Sequence, residues 1–136
     1  MEHSCFITVR FNECDMYGHV NHAVFLDYLE HGRIELLKAG GTSLIELKTM
    51  GYHLVVIEIN VKYKKPAKLD DLLEIRTDFA KPFKVGGITY QKIYRNEEEI
   101  LEAEVKWVCA NSSGAPVRIP ELISDLALDQ FQIKAC

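Results

Sequence analysis

The sequence lacks the features that mark several large classes of protein. Its net charge of −4 provides no basic surplus that would favour general nucleic-acid binding. No apolar stretch approaches the roughly 20 residues of a membrane-spanning helix. The amino terminus has neither a basic region nor a long apolar run, and we therefore expect no signal peptide. These absences predict a cytoplasmic protein with no nucleic-acid or membrane partner.

The four cysteines form no recognisable pattern, because none belongs to a C-x-x-C pair. In a chain without export signals we expect reduced thiols rather than a disulfide framework. The sequence also has no P-loop, no G-x-G-x-x-G fingerprint and no H-E-x-x-H motif. We therefore predict no cofactor and no conventional nucleotide site.

The composition is that of an ordinary globular domain, with 48% apolar and 26% charged residues. A length of 136 residues fits one domain with a hydrophobic core, and no repeat or linker divides it. We predict a single domain over residues 1–136.

Hydrophobic periodicity predicts five strands, which are expected around residues 7–11, 55–63, 73–79, 87–95 and 101–109. A long, largely buried helix should run from an N-cap at Asn21 to Gly40. A short helix should follow from a cap at Thr42, and a C-terminal helix from Pro120. A strand, a long helix and four further strands form an α+β order in which an antiparallel sheet wraps a helix. In the second strand, one face is predicted to comprise Val55, Ile57, Ile59, Val61 and Tyr63.

The junction before the long helix, residues 15–22, reads Asp-Met-Tyr-Gly-His-Val-Asn-His. Asp15 could activate water as a general base or attack an acyl carbon itself. A helix cap is the competing interpretation, and for an isolated aspartate it would be the better one. However, Asp15 lies well before the helix start, and Asn21 is the more natural cap.

The same junction offers backbone N–H groups near Val20 to His22, which could stabilise an oxyanion at the helix start. Gly18 fits a tight turn or the close approach of a ligand. His19 and His22 invite a metal site, but no convincing third ligand accompanies them. We favour structural or substrate-orienting histidines and predict no metal.

Two other charged features leave alternatives open. Arg33 falls among apolar residues on the helical wheel, where it either pairs with Glu30 or reaches solvent. A basic cluster surrounds Pro66 and could hold the phosphates of a nucleotide-bearing thiol carrier, or simply be a solvated edge. This cluster comprises Lys62, Lys64, Lys65 and Lys68.

Taken together, the chain resembles the hotdog-fold acyl-thioesterases of the 4-hydroxybenzoyl-CoA thioesterase type. The matching motifs are Val-Arg-Phe-Asn-Glu-Cys-Asp over 9–15, Gly-His-Val-Asn-His over 18–22, Tyr-Lys-Lys-Pro-Ala over 63–67 and Gly-Ala-Pro-Val-Arg-Ile-Pro over 114–120. The helix signature is carried by Phe25, Tyr28, Glu30 and Arg33. The resemblance spans nearly the whole chain.

The resemblance implies a hotdog fold, in which a five-stranded antiparallel sheet wraps a long central helix. It also implies a homodimer, or a dimer of dimers, whose sheets join edge to edge and whose active sites lie at the dimer interface. Asp15 maps onto the family's nucleophile or general base, and the N–H near His22 onto the group that polarises the thioester carbonyl. His22 also matches a functional histidine in one acyl-CoA thioesterase branch, whereas Asn21 resembles the branch that acts on acyl carrier protein.

The leading hypothesis is an acyl-CoA thioesterase that releases a free acid and CoA, with Asp15, Asn21 and His22 as catalytic residues. The expected substrate contacts are Gly18, His19, Val20, Tyr28, Lys64 and Lys65. The alternatives are an acyl-[acyl carrier protein] thioesterase and a non-catalytic module that binds acyl ligands. A hotdog-fold dehydratase is disfavoured, because the sequence offers no secure acid/base histidine arrangement of that kind.

Overall fold

Five strands form one antiparallel sheet in the computed structural model, which describes residues 1–127. Their bounds are Glu2–Thr8 (β1), His53–Tyr63 (β2), Leu72–Phe83 (β3), Gly86–Arg95 (β4) and Glu98–Ala110 (β5). The order across the sheet is β1-β3-β4-β5-β2, so β3, β4 and β5 form a meander while β1 and β2 lie at the edges. The antiparallel sheet predicted from the alternation is confirmed.

Three α-helices accompany this sheet within the described residues. α1 spans Val24–Ala39, α2 spans Leu44–Thr49, and α3 begins at residue 121 and is described to residue 127. The predicted long helix is present and ends as expected at Gly40, but it begins at Val24 rather than directly after Asn21. The cap of α2 is Ser43 rather than Thr42, because the Ser43 side chain accepts a hydrogen bond from the N–H of Glu46.

Three of the four cysteines lie within residues 1–127. Cys5, Cys14 and Cys109 are free, as expected for reduced cysteines. Cys136 lies outside the described residues.

The first strand begins and ends earlier than predicted, because it spans Glu2–Thr8 and a 3-10 turn follows over Phe11–Glu13. The Glu13 carboxylate accepts hydrogen bonds from the backbone N–H of Arg10 at 2.8 Å and from its guanidinium at 2.7 Å. These bonds turn the chain away from the sheet, and Phe11 is left 82% exposed. The predicted inclusion of Phe11 in the strand is wrong.

One face of the sheet packs against α1, and the predicted alternation is confirmed in β3 and β5. In β3 the buried residues are Leu73, Ile75, Thr77 and Phe79. In β5 they include Leu101, Ala103, Val105, Trp107 and Cys109. The buried residues of α1 are Phe25, Tyr28, Leu29, Gly32, Leu36 and Leu37.

At Gly32, side chains of the sheet lie close to the backbone of α1. A methyl group at this position would lie 2.7 Å from Cγ2 of Ile75 and 2.8 Å from Oγ1 of Thr77. The Gln91 side-chain amide would lie at 3.0 Å. A glycine is therefore needed here for close approach of the helix rather than for backbone freedom.

Replacing Gly32 with alanine should lower the free energy of unfolding by about 1–2 kcal/mol. Overpacking a filled core costs about 1–3 kcal/mol, whereas the gain in helix propensity is at most about 1 kcal/mol. Chemical denaturation measures the difference. Lys38→Ala is the control, because Lys38 is exposed on the same helix and loses only its ion pair with Glu35. A Gly32→Ala variant as stable as the wild type would contradict this packing.

The edge strand β2 carries a bulge that changes which residues share a face. Val56 pairs with Trp107 and the next paired residue, Glu58, pairs with Lys106, so Ile57 is the extra residue. Side chains that lie opposite each other in an antiparallel pair share a face. The face that carries the buried residues of β5 therefore receives Leu54, Val56, Ile59, Val61 and Tyr63. The single face predicted for residues 55–63 is wrong on the amino-terminal side of the bulge.

The free edge of β2 is unusually apolar for an exposed strand. Val55, Val56, Ile57 and Ile59 are all exposed, although β-branched residues of this kind are normally buried in a sheet. An exposed apolar edge strand also presents unpaired backbone groups that can pair with another chain.

Candidate active site

The loop that carries Asp15 is a tight turn closed by backbone hydrogen bonds. The N–H of Gly18 donates to the carbonyl of Asp15 at 3.0 Å, and the N–H of Asp15 donates to the carbonyl of His19 at 2.7 Å. Gly18 has a φ of +79°, a conformation that costs other residues energy and glycine little. The tight turn predicted from Gly18 is therefore confirmed. It places His19 directly beside Asp15.

The Asp15 carboxylate uses one oxygen to hold the turn and leaves the other open. Its Oδ1 accepts hydrogen bonds from the N–H of Tyr17 at 2.9 Å and from the N–H of His19 at 3.3 Å. Within residues 1–127, Oδ2 has no hydrogen-bond or ion-pair partner. Asp15 does not cap α1, which begins nine residues later at Val24 and has no side-chain cap. A fixed carboxylate with one open oxygen can act as a base or a nucleophile.

Among residues 20–22, before the start of α1, one backbone donor is available. The N–H of Val20 donates to the carbonyl of Ala67 at 2.8 Å, and the N–H of Asn21 to the carbonyl of Glu13 at 2.9 Å. In contrast, the N–H of His22 has no partner among the described residues. Of the donors predicted near Val20 to His22, only that of His22 remains for a ligand.

Asn21 and Tyr63 hold this donor in place. Asn21 is not the N-cap of α1, which is Ala23, but its Oδ1 accepts from the N–H of Ala23 at 2.8 Å and so fixes the turn before the helix. The hydroxyl of Tyr63 donates to the carbonyl of His22 at 2.8 Å. The end of β2 is thus tied to the helix start.

A buried carboxylate that is not among the predicted site residues, Glu13, anchors the other side of the loop. Glu13 is 7% exposed and accepts a hydrogen bond from the Tyr28 hydroxyl at 2.9 Å. Burial tends to raise the pKa of Glu13, but hydrogen bonds from Arg10 and Tyr28 outweigh it and lower that pKa. Burial and the Glu13 carboxylate raise the pKa of the Tyr28 hydroxyl. The spacing of Arg10 and Glu13, three residues apart, was the available signal.

Two of the residues expected to contact substrate are buried in the protein interior. Tyr28 is 1% exposed and its hydroxyl is taken by Glu13. Val20 is buried in the core. Gly18 and His19 lie in the turn beside the Asp15 carboxylate. The structure therefore brings Gly18 and His19 to the loop surface, while Val20 and Tyr28 support it from inside.

Two of the four lysines in the predicted basic cluster are paired with acidic residues. The Nζ of Lys64 contacts Glu102 at 3.0 Å and also contacts Glu99, while the Nζ of Lys65 lies 3.4 Å from Glu98. These ion pairs reduce the positive charge that Lys64 and Lys65 would present to a phosphate. Their role in substrate binding remains a prediction.

Glu99 should make stability depend on pH in the acid range. Hydrogen bonds from Lys64 and Lys92 lower the pKa of Glu99 to about 2, below its ordinary value of 4.5. The folded state then binds fewer protons than the unfolded state between these values, so its stability falls as the pH falls through that interval. Glu99→Gln should be less stable than the wild type at pH 7, and the difference should shrink towards pH 2.

Denaturation midpoints measured from pH 7 to pH 2 test this. Glu97→Gln is the control, because Glu97 is exposed in the turn between β4 and β5. Parallel curves for Glu99→Gln and the wild type below pH 4.5 would contradict the assignment.

Arg33 pairs differently from either prediction. Its Nη1 donates to Oε1 of Gln91 in β4 at 3.0 Å, and it is partly buried rather than extended into solvent. Burial lowers the pKa of Arg33, and the charge of Glu30 opposes that shift. Glu30 thus acts on Arg33 through its charge, while the hydrogen-bond partner is Gln91.

Residues 1–127 contain neither a cluster of metal-ligating side chains nor a helix that could cross a membrane. No group of three or more histidine, cysteine, aspartate or glutamate side chains is placed to hold a metal ion there. In the same residues, no helix has the length and apolar character required to cross a membrane.

The sequence from residue 9 to residue 126 matches the model of a known family, the Thioesterase-like superfamily. The chain belongs to this superfamily. The match includes the Asp15 turn, α1 and β2 to β5. The resemblance to hotdog-fold thioesterases, predicted from the motifs, is therefore confirmed.

Two relatives of the chain are named for thioesters on different acyl carriers, one on acyl carrier protein and one on CoA. The chain is 31% identical over 129 residues to the chloroplastic acyl-acyl carrier protein thioesterase ATL3 of Arabidopsis thaliana, covering 89% of this chain and 65% of that protein. It is 33% identical over 106 residues to the acyl-CoA thioester hydrolase YbgC of Escherichia coli O6:H1, covering 77% of this chain and 79% of that protein. The chain thus spans slightly less than two thirds of the plant relative.

A solved structure agrees with the superfamily fold. The probable thioesterase from Bartonella henselae superposes with a TM-score of 0.84 at 28% identity, covering 88% of this chain and 100% of that chain. Together with the sheet topology, this neighbour supports the hotdog fold.

Proposed function

We propose that the chain is a thioesterase that hydrolyses acyl-CoA to a free acid and CoA. The observation that carries the proposal is the Asp15 turn, where one carboxylate oxygen is fixed and the other is open. The free N–H of His22 at the start of α1 supplies the matching oxyanion donor. Superfamily membership and the acyl-CoA thioester hydrolase relative support this reaction.

In the proposed reaction, Asp15 either removes a proton from water or attacks the thioester carbon directly. As the new bond forms, negative charge grows on the carbonyl oxygen. The N–H of His22 and the positive end of the α1 dipole stabilise that charge. In the general-base route the C–S bond then breaks, and the CoA thiolate receives the proton that Asp15 took from water. In the nucleophilic route the C–S bond breaks to leave an acyl–Asp15 anhydride, and water hydrolyses it to the free acid, regenerates the carboxylate and supplies the proton of the thiol. Asn21 positions the donor by fixing the turn at Ala23.

We further propose that two copies pair through β2 to form a homodimer, with a dimer of dimers as the larger assembly. The exposed apolar edge of β2 supports this pairing. In this arrangement α1 is the central helix that the sheet wraps. The hydrogen bond between Tyr63 and His22 connects the proposed dimer interface on β2 to the start of α1. Each active site would lie close to the partner. A cytoplasmic location remains a prediction.

The second candidate substrate is an acyl-[acyl carrier protein] thioester. It is favoured by the plant relative and by His-Val-Asn over 19–21. Turnover of one acyl group on both carriers distinguishes the candidates. We expect a higher kcat/KM with CoA, and the reverse order would favour the carrier protein.

A coupled assay tests the proposed function. Wild-type protein is incubated with acyl-CoA esters of 4 to 16 carbons and with an aryl-CoA ester, as a panel of about eight substrates, while thiol and free acid are both measured. We expect both products in equal amounts for at least one ester. Tight acyl-CoA binding without thiol release would instead identify a non-catalytic acyl-binding module.

A further inference from the structure

A cavity of about 130 Å³ lies between the second half of α1 and the sheet. Its apolar wall includes the buried side chains of Leu36, Leu37, Phe79, Trp107 and Ile123. Its exposed lining residues are Glu30, Leu44 and Val56, which mark the rim. A dry cavity of about 150 Å³ with such walls holds one benzene molecule. This space therefore suits one ring or a chain of about six carbons.

Arg33 is the only cationic side chain among the described residues that line this cavity. One hydrogen bond, from Nη1 to Gln91, is made by its guanidinium within residues 1–127. A guanidinium carries five N–H donors, so most of them have no protein acceptor there. A partly buried cation beside an apolar wall favours a ligand that brings its own acceptor.

Gln91 holds Arg33 in this position. The Gln91 Nε2 donates to the carbonyl of Leu29 at 2.8 Å and to Oγ1 of Thr77 at 2.9 Å, so both amide hydrogens are used. Its Oε1 is consequently directed at Arg33. Gln91 is a neutral positioning residue, and the positive charge of Arg33 is not cancelled by a hydrogen-bonded carboxylate.

Thr89 supplies a second donor to the same cavity. Its Oγ1 accepts a hydrogen bond from Nε1 of Trp107 at 3.0 Å. The hydroxyl proton of Thr89 has no acceptor in the part of the chain that the structure describes. Thr89 is buried and lines the cavity, so a ligand in the cavity can accept this proton.

We propose that this cavity receives the acyl group and that Arg33 selects acyl groups bearing an oxygen acceptor over plain alkyl chains. The inference rests on the proposed thioesterase function and deepens it. A keto or hydroxyl oxygen would accept hydrogen bonds from Arg33 and Thr89. A plain alkyl chain would displace water from the guanidinium and return no hydrogen bond, and a site built for such bonds rejects a substrate that lacks them.

The test compares kcat/KM for hexanoyl-CoA, 3-oxohexanoyl-CoA and 5-oxohexanoyl-CoA in the wild type and in Arg33→Met. A hydrogen bond to a charged group changes affinity by about 10- to 100-fold, so the wild type should prefer one oxo ester by that factor. Arg33→Met should lose the preference by losing activity on the oxo ester alone. Lys38→Met, an exposed cation on α1, should keep it.

Arg33→Gln is the second variant should Arg33→Met not fold, and it too should lose the preference. Equal use of all three esters by the wild type, or a preference that survives the loss of Arg33, would overturn the inference.

Binding of free acids separates this inference from the proposed function. Trp107 is the only tryptophan and lines the cavity, so its fluorescence reports occupancy. The wild type should respond to 5-oxohexanoate at lower concentration than to hexanoate, and Arg33→Met should not discriminate. If no ester is hydrolysed, the proposed function fails, and this measurement alone decides the inference. Equal responses to the two acids, or none, would overturn it.

Discussion

Replacing Asp15 with asparagine should lower kcat/KM for acyl-CoA hydrolysis by about 10³-fold while stability changes by less than about 0.5 kcal/mol. Asparagine keeps the Oδ1 that accepts hydrogen bonds from Tyr17 and His19, so the turn should be retained. It removes the charge and basicity of the open Oδ2. The predicted loss is therefore chemical rather than structural.

Thiol release and circular dichroism measure the two quantities on the same sample. Asp27→Asn is the matched control, because Asp27 is an exposed carboxylate in the first turn of α1. It should keep wild-type activity within about twofold, since surface substitutions rarely alter a distant site. An Asp15→Asn enzyme within tenfold of the wild type would contradict the proposed role.

The second large effect is expected at the edge of β2. Ile57→Lys should convert the proposed dimer to a monomer and reduce kcat/KM by about 100-fold. Two-fold symmetry brings equivalent residues into one interface, and like charges placed together there cost several kcal/mol. Ile57 is 52% exposed and is the extra residue of the bulge, so the monomer should tolerate lysine.

Sedimentation velocity and thiol release should change together in this variant. Ile45→Lys is the control, because Ile45 is a 78% exposed isoleucine on α2 and is not a residue of the β2 edge. It should remain dimeric and active. A monomeric Ile57→Lys protein with full activity would show that the partner does not complete the site. A wild type that is monomeric at assay concentration would contradict the assembly itself.

The regular elements could be predicted because their patterns are local. The period of two in β3 and β5 follows directly from burial of one face, and the period of α1 from a wide apolar stripe. Two local departures could not be read in this way. The alternation through Phe11 continues past the real end of β1, where the Arg10–Glu13 pairing forms a turn instead. The bulge at Ile57 shifts a face without changing the composition of β2.

The site also has residues that could be predicted from the sequence and contacts that could not. Asp15 and Gly18 could be identified from residue type and position, because a carboxylate and a glycine in one short loop have a restricted set of uses. The supporting contacts join residues far apart in sequence. Tyr28 meets Glu13 across 15 residues, and Arg33 meets Gln91 across 58 residues.

The lysine cluster shows the same limit. Lys64 pairs with Glu99, 35 residues later, and so differs from the free cation that its own neighbourhood suggests. Such pairings depend on strand register, which a single sequence does not reveal.

The most direct test of the central claim is a crystal structure of the wild type with a non-hydrolysable thioether analogue of an acyl-CoA. The account predicts that the Asp15 Oδ2, or a water bound to it, lies about 3–3.5 Å from the carbon that replaces the thioester carbon. The N–H of His22 should lie about 3 Å from the oxygen or the position it would occupy. An analogue bound with this carbon beyond about 6 Å from every copy of Asp15 would contradict the account.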